Sequence, residues 1–92
     1  MVSRKHVYIA IDEERDYQNL KWAGHKHEVG AYLTILKVYI DKAAHEWCGE
    51  SGDAKAKHQI RKIAAIAVAC MEENGVMPRS VYDFEEFKKE VI

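Results

Sequence analysis

Residues 54–75 of this chain, AKAKHQIRKIAAIAVACMEENG, decide its fold. Five of them recur at intervals of three and four, which places them on one face of a helix: Ile60, Ile63, Ala67, Cys70 and Asn74. The second half of the segment is apolar nearly all round, so neighbouring helices must cover it on several sides. Asn74 and Gly75 predict a left-handed C-cap, and Pro78 prevents continuation. The segment is therefore predicted to be the central, buried helix of a bundle.

The composition of the whole chain indicates one soluble globular domain. It has 92 residues, of which 48% are hydrophobic and 32% charged, and a net charge of −1. That charge gives no field that favours bulk nucleic-acid or membrane binding. The longest apolar run, residues 63–71, is too short to span a bilayer. With no targeting segment, Cys48 and Cys70 are expected to be reduced thiols in a cytosol, and neither has neighbours that predict catalysis.

A first helix is predicted over residues 3–22. Apolar and polar groups repeat at helical spacing there, and Ser3 is a suitable N-cap. One stripe combines Val7, Ile11, Glu14, Gln18 and Lys21. Residues 6–11 also alternate like a strand, but a lone strand would have no partner, so a helix is predicted. The breaker Gly24 lies in the connection that follows.

The second helix is predicted over about residues 27–48 and carries two apolar stripes. The first stripe has the spacing of a bundle seam: Val29, Leu33, Leu36, Ile40, Ala43 and Trp47. The second stripe flanks it: Tyr32, Ile35 and Tyr39. Together they are wider than one partner helix covers. We therefore expect the second stripe to be exposed and the protein to form a homo-oligomer.

The remaining connections complete an all-α prediction. Residues 49–53 are a short loop, so the second and third helices should be antiparallel neighbours, with Asp53 as N-cap of the third. Residues 80–83 resemble a capping box for a last helix of about ten residues. Its apolar side comprises Val81, Phe84, Phe87 and Val91. The predicted fold is one domain, residues 1–92, with three principal helices and a short C-terminal one.

The histidines do not have the spacing of a metal site. Asp41 and His45 are one turn apart on the second helix, and His58 lies beyond the next loop. His25 and His27 fall in the first connection. None of them forms the H-x-x-x-H pattern of a strong zinc site. We interpret them as capping or solvent-facing residues and expect no bound metal.

Aromatic residues interleaved with basic ones form the most suggestive functional pattern. An aromatic face can stack on a base, and a nearby cation can neutralise a phosphate. The same residues also fit core packing beside a solvated basic face. The candidate nucleotide-binding residues are Tyr39, Lys42, Arg61 and Lys62, with Tyr17, Lys21 and Trp22 as a second rim.

Three blocks carry a resemblance to a known family: ERDYQNLKW at 14–22, HEVGAYL at 27–33, and RKIAAIAVACME at 61–72 with NG at 74–75. They resemble the motifs E-R-x-Y-Q-x-x-K-W, H-x-V-G-E-W-L and R-x-(I/V)-A-A-(I/V)-A-V-A-C-(M/L)-E-x-x-G. These belong to the small MazG-like proteins, which occur mainly in bacteriophages and prophages. The resemblance covers about residues 7–78. It implies an all-α nucleotide-pyrophosphohydrolase fold assembled as dimers or tetramers.

The chain departs from this family where the family binds metal. The family holds Mg²⁺ with an E-x-x-E pair on one helix and an E-x-x-D pair on the next, and the ion bridges the polyphosphate. Here the first pair falls at Tyr39 and Lys42, and the second falls within residues 58–62, where no acid stands. Lys42, Arg61 and Lys62 can instead meet phosphate directly. The resemblance therefore implies the fold, while the replacements favour binding without hydrolysis.

Three functions remain open. The first is non-catalytic binding of a nucleotide by a phage protein in the cytosol of its bacterial host, where it holds a nucleotide pool or sequesters a nucleotide signal. The second is a Mg²⁺-dependent nucleoside triphosphate pyrophosphohydrolase that uses Glu14, Glu28 or Asp41 brought together across subunits. The third is a phage protein that binds a host protein through the second stripe and the C-terminal helix.

Overall fold

Three α-helices make up the architecture of the computed structural model, which describes residues 1–22, 24, 26–49 and 52–79. They are α1 (Arg4–Lys21), α2 (Val29–Cys48) and α3 (Gly52–Asn74). The three principal helices are confirmed, and residues 6–11 lie within α1 rather than in a strand. The predicted C-terminal helix lies outside the described residues. No helix in the described ranges is both long enough and apolar enough to cross a bilayer.

The helix ends follow their sequence signals in two of three cases. The Ser3 hydroxyl accepts a hydrogen bond from the His6 amide at 3.3 Å, as an N-cap does. Gly75 has φ of 92°, and its amide donates to the Met71 carbonyl at 2.9 Å, as in the predicted C-cap. The prediction that Asp53 caps α3 is wrong, because α3 begins at Gly52. Asp53 lies inside the first turn and accepts from the Trp47 indole N–H at 3.0 Å.

The central helix is α3, because both other helices pack on it. The backbones of α1 and α2 nowhere come close to each other among the described residues. Helix α2 runs antiparallel to α3, since Gln59 near the start of α3 bonds to Glu46 near the end of α2. At the other end, Tyr32 near the start of α2 packs with Ile66 and Ala69 in the second half of α3. This arrangement confirms the predicted neighbour relation of the two helices.

The prediction of which stripe of α2 is buried and which is exposed is largely wrong, because the structure reverses the two. The second stripe faces α3: Tyr32 is 5% exposed and packs with Ile66 and Ala69, while Ile35 and Tyr39 are half-buried against the same cluster. Of the first stripe, only Leu36 and Ala43 join the buried face. Its other members are about half exposed or more: Val29, Leu33, Ile40 and Trp47. The second stripe is therefore not a free surface for a host protein, because its aromatic rings form the core.

The buried side of α3 also differs from its predicted face. Ile60, the first member of that face, is 57% exposed, whereas Ala56 and Gln59 are buried. Small residues decide this, because Ala65 and Ala69 let the neighbouring helices approach α3 closely. Within the described part of the chain only two helices cover α3, so Met71 on its far side is 42% exposed.

Helix α1 is attached to α3 mainly by polar contacts. Glu14 and Gln18 of the predicted stripe are buried, and so is Arg15 beside them, whereas Val7 and Lys21 of the same stripe are exposed. Glu14 accepts from Arg61 at 2.8 Å, and Arg15 donates to Glu72 at 2.9 Å. One turn of α1 thus reaches two residues that are about three turns apart on α3, so α1 lies across α3 rather than along it.

Candidate functional site

A cavity of about 240 Å³ lies between α1 and α2, with α3 as its floor. It exists because both helices pack on α3 while their backbones stay apart from each other. The floor consists of Ile66, Ala69 and Glu73. The small side chain of Ala69 keeps the floor low, so the depth of the cavity follows from the alanine-rich sequence of α3.

Aromatic side chains from three parts of the chain line the cavity. Trp22 directly follows the last residue of α1, Tyr32 and Tyr39 belong to α2, and His27 precedes α2. His27 and Tyr32 meet edge to face, with ring centroids 5.4 Å apart. The cavity therefore offers flat apolar surfaces to a planar ligand.

The polar wall of the cavity is organised by Arg15. Its guanidinium donates to Glu72 at 2.9 Å, to the Gln18 amide oxygen at 3.1 Å and to the Asn19 amide oxygen at 2.9 Å. Gln18 in turn donates to the Lys62 carbonyl at 3.4 Å. Because the oxygens of both amides point at the cation, the orientation of Gln18 and Asn19 is determined.

A second polar cluster attaches the α1–α2 connection to the end of α3. The Glu73 carboxylate accepts from the His27 amide at 3.0 Å, and this bond, together with the nearby Tyr32 hydroxyl, lowers the pKa of Glu73. Burial, reinforced by the neighbouring Glu73 carboxylate, raises the pKa of Tyr32 to about 12. Asn74 also donates to the His27 carbonyl at 3.1 Å. His27 is thus held at the rim of the cavity by its backbone contacts while the residue stays exposed, as predicted.

Four of the seven predicted site residues lie at this cavity or on its aromatic walls. Trp22 and Tyr39 line it. The Lys21 ammonium lies 5.3 Å from the Trp22 ring, and the Lys42 ammonium lies 6.0 Å from the Tyr39 ring. Each wall thus combines an aromatic face with a cation, which is the pairing that the sequence pattern indicated.

The other three predicted residues do not line the cavity. Arg61 donates to Glu14 and also contacts His58, so its guanidinium is engaged on the α1 side of α3. Lys62 contributes its backbone carbonyl to Gln18. Tyr17 is 54% exposed, and the Lys21 ammonium lies 6.0 Å from its ring.

The carboxylates of the hydrolase hypothesis are spread over the molecule. Glu14 is paired with Arg61, Glu28 is the residue before α2, and Asp41 is exposed on α2. Within the described ranges, no three His, Cys, Asp or Glu side chains are grouped as they would be around a metal ion. Cys48 is exposed and Cys70 half-buried, and both are free thiols.

Comparison with known proteins adds no relative. Neither the models of known families, nor characterised proteins, nor solved structures match this chain.

Most of the polar cavity residues were missed by sequence reasoning, although a signal was present. Arg15, Gln18 and Asn19 belong to the block ERDYQNLKW that carries the family resemblance. Their spacing of three and four places them on one face of α1 beside Trp22. Tyr32 and Glu73 had no such signal, since each acquires its place through residues far apart in sequence: Tyr32 packs with Ile66 and Ala69, and Glu73 accepts from the His27 amide.

Proposed function

We propose that this chain is a MazG-like protein that binds a nucleotide in the cavity between α1 and α2 and does not cleave it. The observation that carries the proposal is the aromatic lining of a 240 Å³ cavity, with lysine ammonium groups beside the rings of Trp22 and Tyr39. Base stacking on an aromatic side chain contributes about 1–3 kcal/mol per base. The ammonium groups would then neutralise phosphate.

Binding without a metal follows from the replaced acidic positions. Tyr39 and Lys42 stand where the resemblance expects the first Mg²⁺-binding pair, and Lys42 brings a positive charge in place of a negative one. A direct ammonium–phosphate contact needs no bridging ion. In the phage setting that the resemblance implies, such a protein would act in the bacterial cytosol, where it would hold or sequester a nucleotide or a nucleotide signal of the host.

A thermal-shift screen tests the proposal. The full chain is mixed with linear nucleoside triphosphates and with cyclic di- and trinucleotides, each with Mg²⁺ and with EDTA. A ligand that binds only the folded state raises the melting temperature, so we expect a shift that persists in EDTA. A shift that requires Mg²⁺, with release of pyrophosphate, would support the hydrolase instead. No shift with any ligand would refute nucleotide binding.

A pair of lysine variants locates the binding site. Lys42→Glu places a carboxylate beside the Tyr39 ring and should weaken binding of the selected nucleotide about tenfold or more, because it turns an attraction into a repulsion. Lys57→Glu makes the same charge change at an exposed position of α3 that does not line the cavity. Equal affinities of the two variants, measured by calorimetry, would remove Lys42 from the site.

We further propose that a second copy of the chain covers the exposed part of the first stripe. Leu33, Ile40 and Trp47 are 53–61% exposed and lie along one side of α2. Lys37 and Asp41 flank that side one turn apart. In an antiparallel two-fold pairing of α2 helices, Lys37 of one protomer would meet the opposite charge at position 41 of the other. The face is therefore complementary to itself in both hydrophobicity and charge.

Light scattering after gel filtration tests this pairing. The unmodified chain should elute as a dimer or a larger even assembly, and Ile40→Glu should shift it to a monomer that keeps its helical circular dichroism. A monomeric unmodified chain, or an Ile40→Glu variant that stays oligomeric, would refute the pairing through α2.

A further inference from the structure

The charged groups of the cavity are already balanced. Arg15 and Glu73 are the charged residues among those of the described chain that line it. The Arg15 guanidinium is paired with Glu72 at 2.9 Å, and Glu73, the next residue of α3, adds a carboxylate to the floor. A phosphate inside would therefore meet the Glu73 carboxylate and a guanidinium that is already paired with Glu72 and bonded to two amide oxygens. The interior is unfavourable for an anion.

The size of the cavity points to a single ring system. Pockets that enclose a whole drug-sized ligand span about 300–1,000 Å³, and this one measures 240 Å³. A nucleotide must then leave part of itself outside. The apolar and aromatic surfaces of Tyr32, Tyr39 and Ile66 favour the planar base as the enclosed part.

Asn19 gives the cavity a polar group of known orientation. Its Oδ1 accepts from Arg15 at 2.9 Å, so its NH₂ group is directed away from the cation. Within the described residues no acceptor bonds to that NH₂ group. Asn19 is exposed and lines the cavity, so both N–H donors are available to a ligand. An amide NH₂ recognises a carbonyl oxygen or a ring nitrogen on the edge of a base.

From these observations, and resting on the proposed function, we infer that the cavity encloses the base of the nucleotide, that the Asn19 amide recognises an acceptor on its edge, and that the phosphates stay outside near Lys21 and Lys42. The positions of the two ammonium groups agree with this division. Both lie beside rings that line the cavity, and neither lysine is part of the lining. The ligand class is thus a nucleotide selected mainly by its base.

Calorimetry with the nucleoside and the polyphosphate as separate ligands tests whether the base lies inside the cavity and the phosphates outside, and it needs no variant. The full chain is titrated in EDTA with the four common nucleosides, with their 5′-triphosphates and with inorganic tripolyphosphate. We expect one nucleoside to bind and to compete with its triphosphate, while tripolyphosphate alone binds at least about tenfold more weakly than the triphosphate. Tripolyphosphate that displaces the nucleotide, with no binding of any nucleoside, would overturn the inference while leaving nucleotide binding intact. If neither nucleosides nor triphosphates bind, the proposed function itself fails.

Three variants then separate the two ends of the ligand. Asn19→Asp keeps an acceptor for Arg15, so the fold should hold, but it replaces the NH₂ group with a carboxylate oxygen. Nucleoside and triphosphate affinity should both fall about tenfold or more. Lys21→Gln and Lys42→Gln should weaken the triphosphate only, with nucleoside affinity unchanged. An Asn19→Asp variant with unchanged nucleoside affinity would overturn the assigned role of the amide.

Discussion

Removal of Arg61 from its ion pair with Glu14 should destabilise the fold much more than removal of the Glu14 charge. The Glu14 side chain is 6% exposed and that of Arg61 is 38% exposed, with 2.8 Å between Oε1 and Nε. Removal of Arg61 by Arg61→Met leaves a buried carboxylate without its cation. Removal of the charge of Glu14 by Glu14→Gln leaves a guanidinium that water already reaches, and an amide oxygen that still accepts its hydrogen bond.

The magnitude of each change follows from these exposures. An uncompensated buried charge costs about 3–5 kcal/mol, and we expect Arg61→Met to lie at the lower end, about 3 kcal/mol. Glu14→Gln should cost about 1 kcal/mol, since the exposed partner keeps its hydration. The double variant Glu14→Leu with Arg61→Met replaces the pair by apolar groups and should be nearly as stable as the original chain.

Urea and thermal unfolding, followed by circular dichroism, measure these differences. In a domain of this size 1 kcal/mol corresponds to about 4–8 °C in Tm, so the expected 2 kcal/mol gap between the single variants is well resolved. Equal costs for the two single variants, or a double variant no more stable than Arg61→Met, would refute the reasoning. Where Arg61→Met stays folded, its nucleotide affinity should be unchanged, because Arg61 is engaged away from the cavity.

Two further predictions concern pH and backbone conformation. Because the folded chain raises the pKa of Tyr32 to about 12 from 10.0, its neutral phenol adds stability that is complete below pH 10 and is lost as the pH rises to 12. Alkaline unfolding curves should therefore show a loss on the order of 1 kcal/mol over that range that Tyr32→Phe lacks, after allowance for solvent screening; identical curves would refute the raised pKa of Tyr32. Gly75→Ala should cost about 1 kcal/mol in urea unfolding, because φ of 92° strains any side chain, whereas the control Gly30→Ala in an open helical position should stabilise by about 0.5–1 kcal/mol. Equal effects of the two alanines would contradict the assigned cap.

The helices of this fold can be predicted from local sequence signals, because contacts between near neighbours in the sequence begin and end them. Ser3 bonds to an amide three residues away, and Gly75 bonds to a carbonyl four residues away. Such contacts need no partner helix, so the number, order and approximate bounds of the three described helices follow from the sequence. The error at Asp53 arises from a contact between two helices, since its oxygen bonds to Trp47 of the preceding helix.

The candidate site was half visible in the sequence. Trp22 and Tyr39, each beside a lysine, were recognisable as aromatic–cation pairs within one helix. Arg15 and Glu73 acquire their roles only through contacts with distant residues, since Arg15 bonds to Glu72 and Glu73 bonds to the His27 amide. Sequence spacing cannot reveal a pairing that crosses from one helix to another.

By itself, then, the sequence determines an all-α chain whose helices begin and end where their caps and breakers stand. The tertiary structure decides which side of α2 is buried. Viewed down the helix axis, the apolar residues of α2 cover an arc of about 160°, with Ile35 at one edge and Leu33 at the other. One helix–helix contact uses roughly 100°, so periodicity alone allows either half of the arc to face α3. Packing resolves the choice, because the rings of Tyr32 and Tyr39 fit over the small alanines of α3. That choice leaves Leu33 and Ile40 exposed and opens the cavity, because α1 crosses α3 without reaching α2.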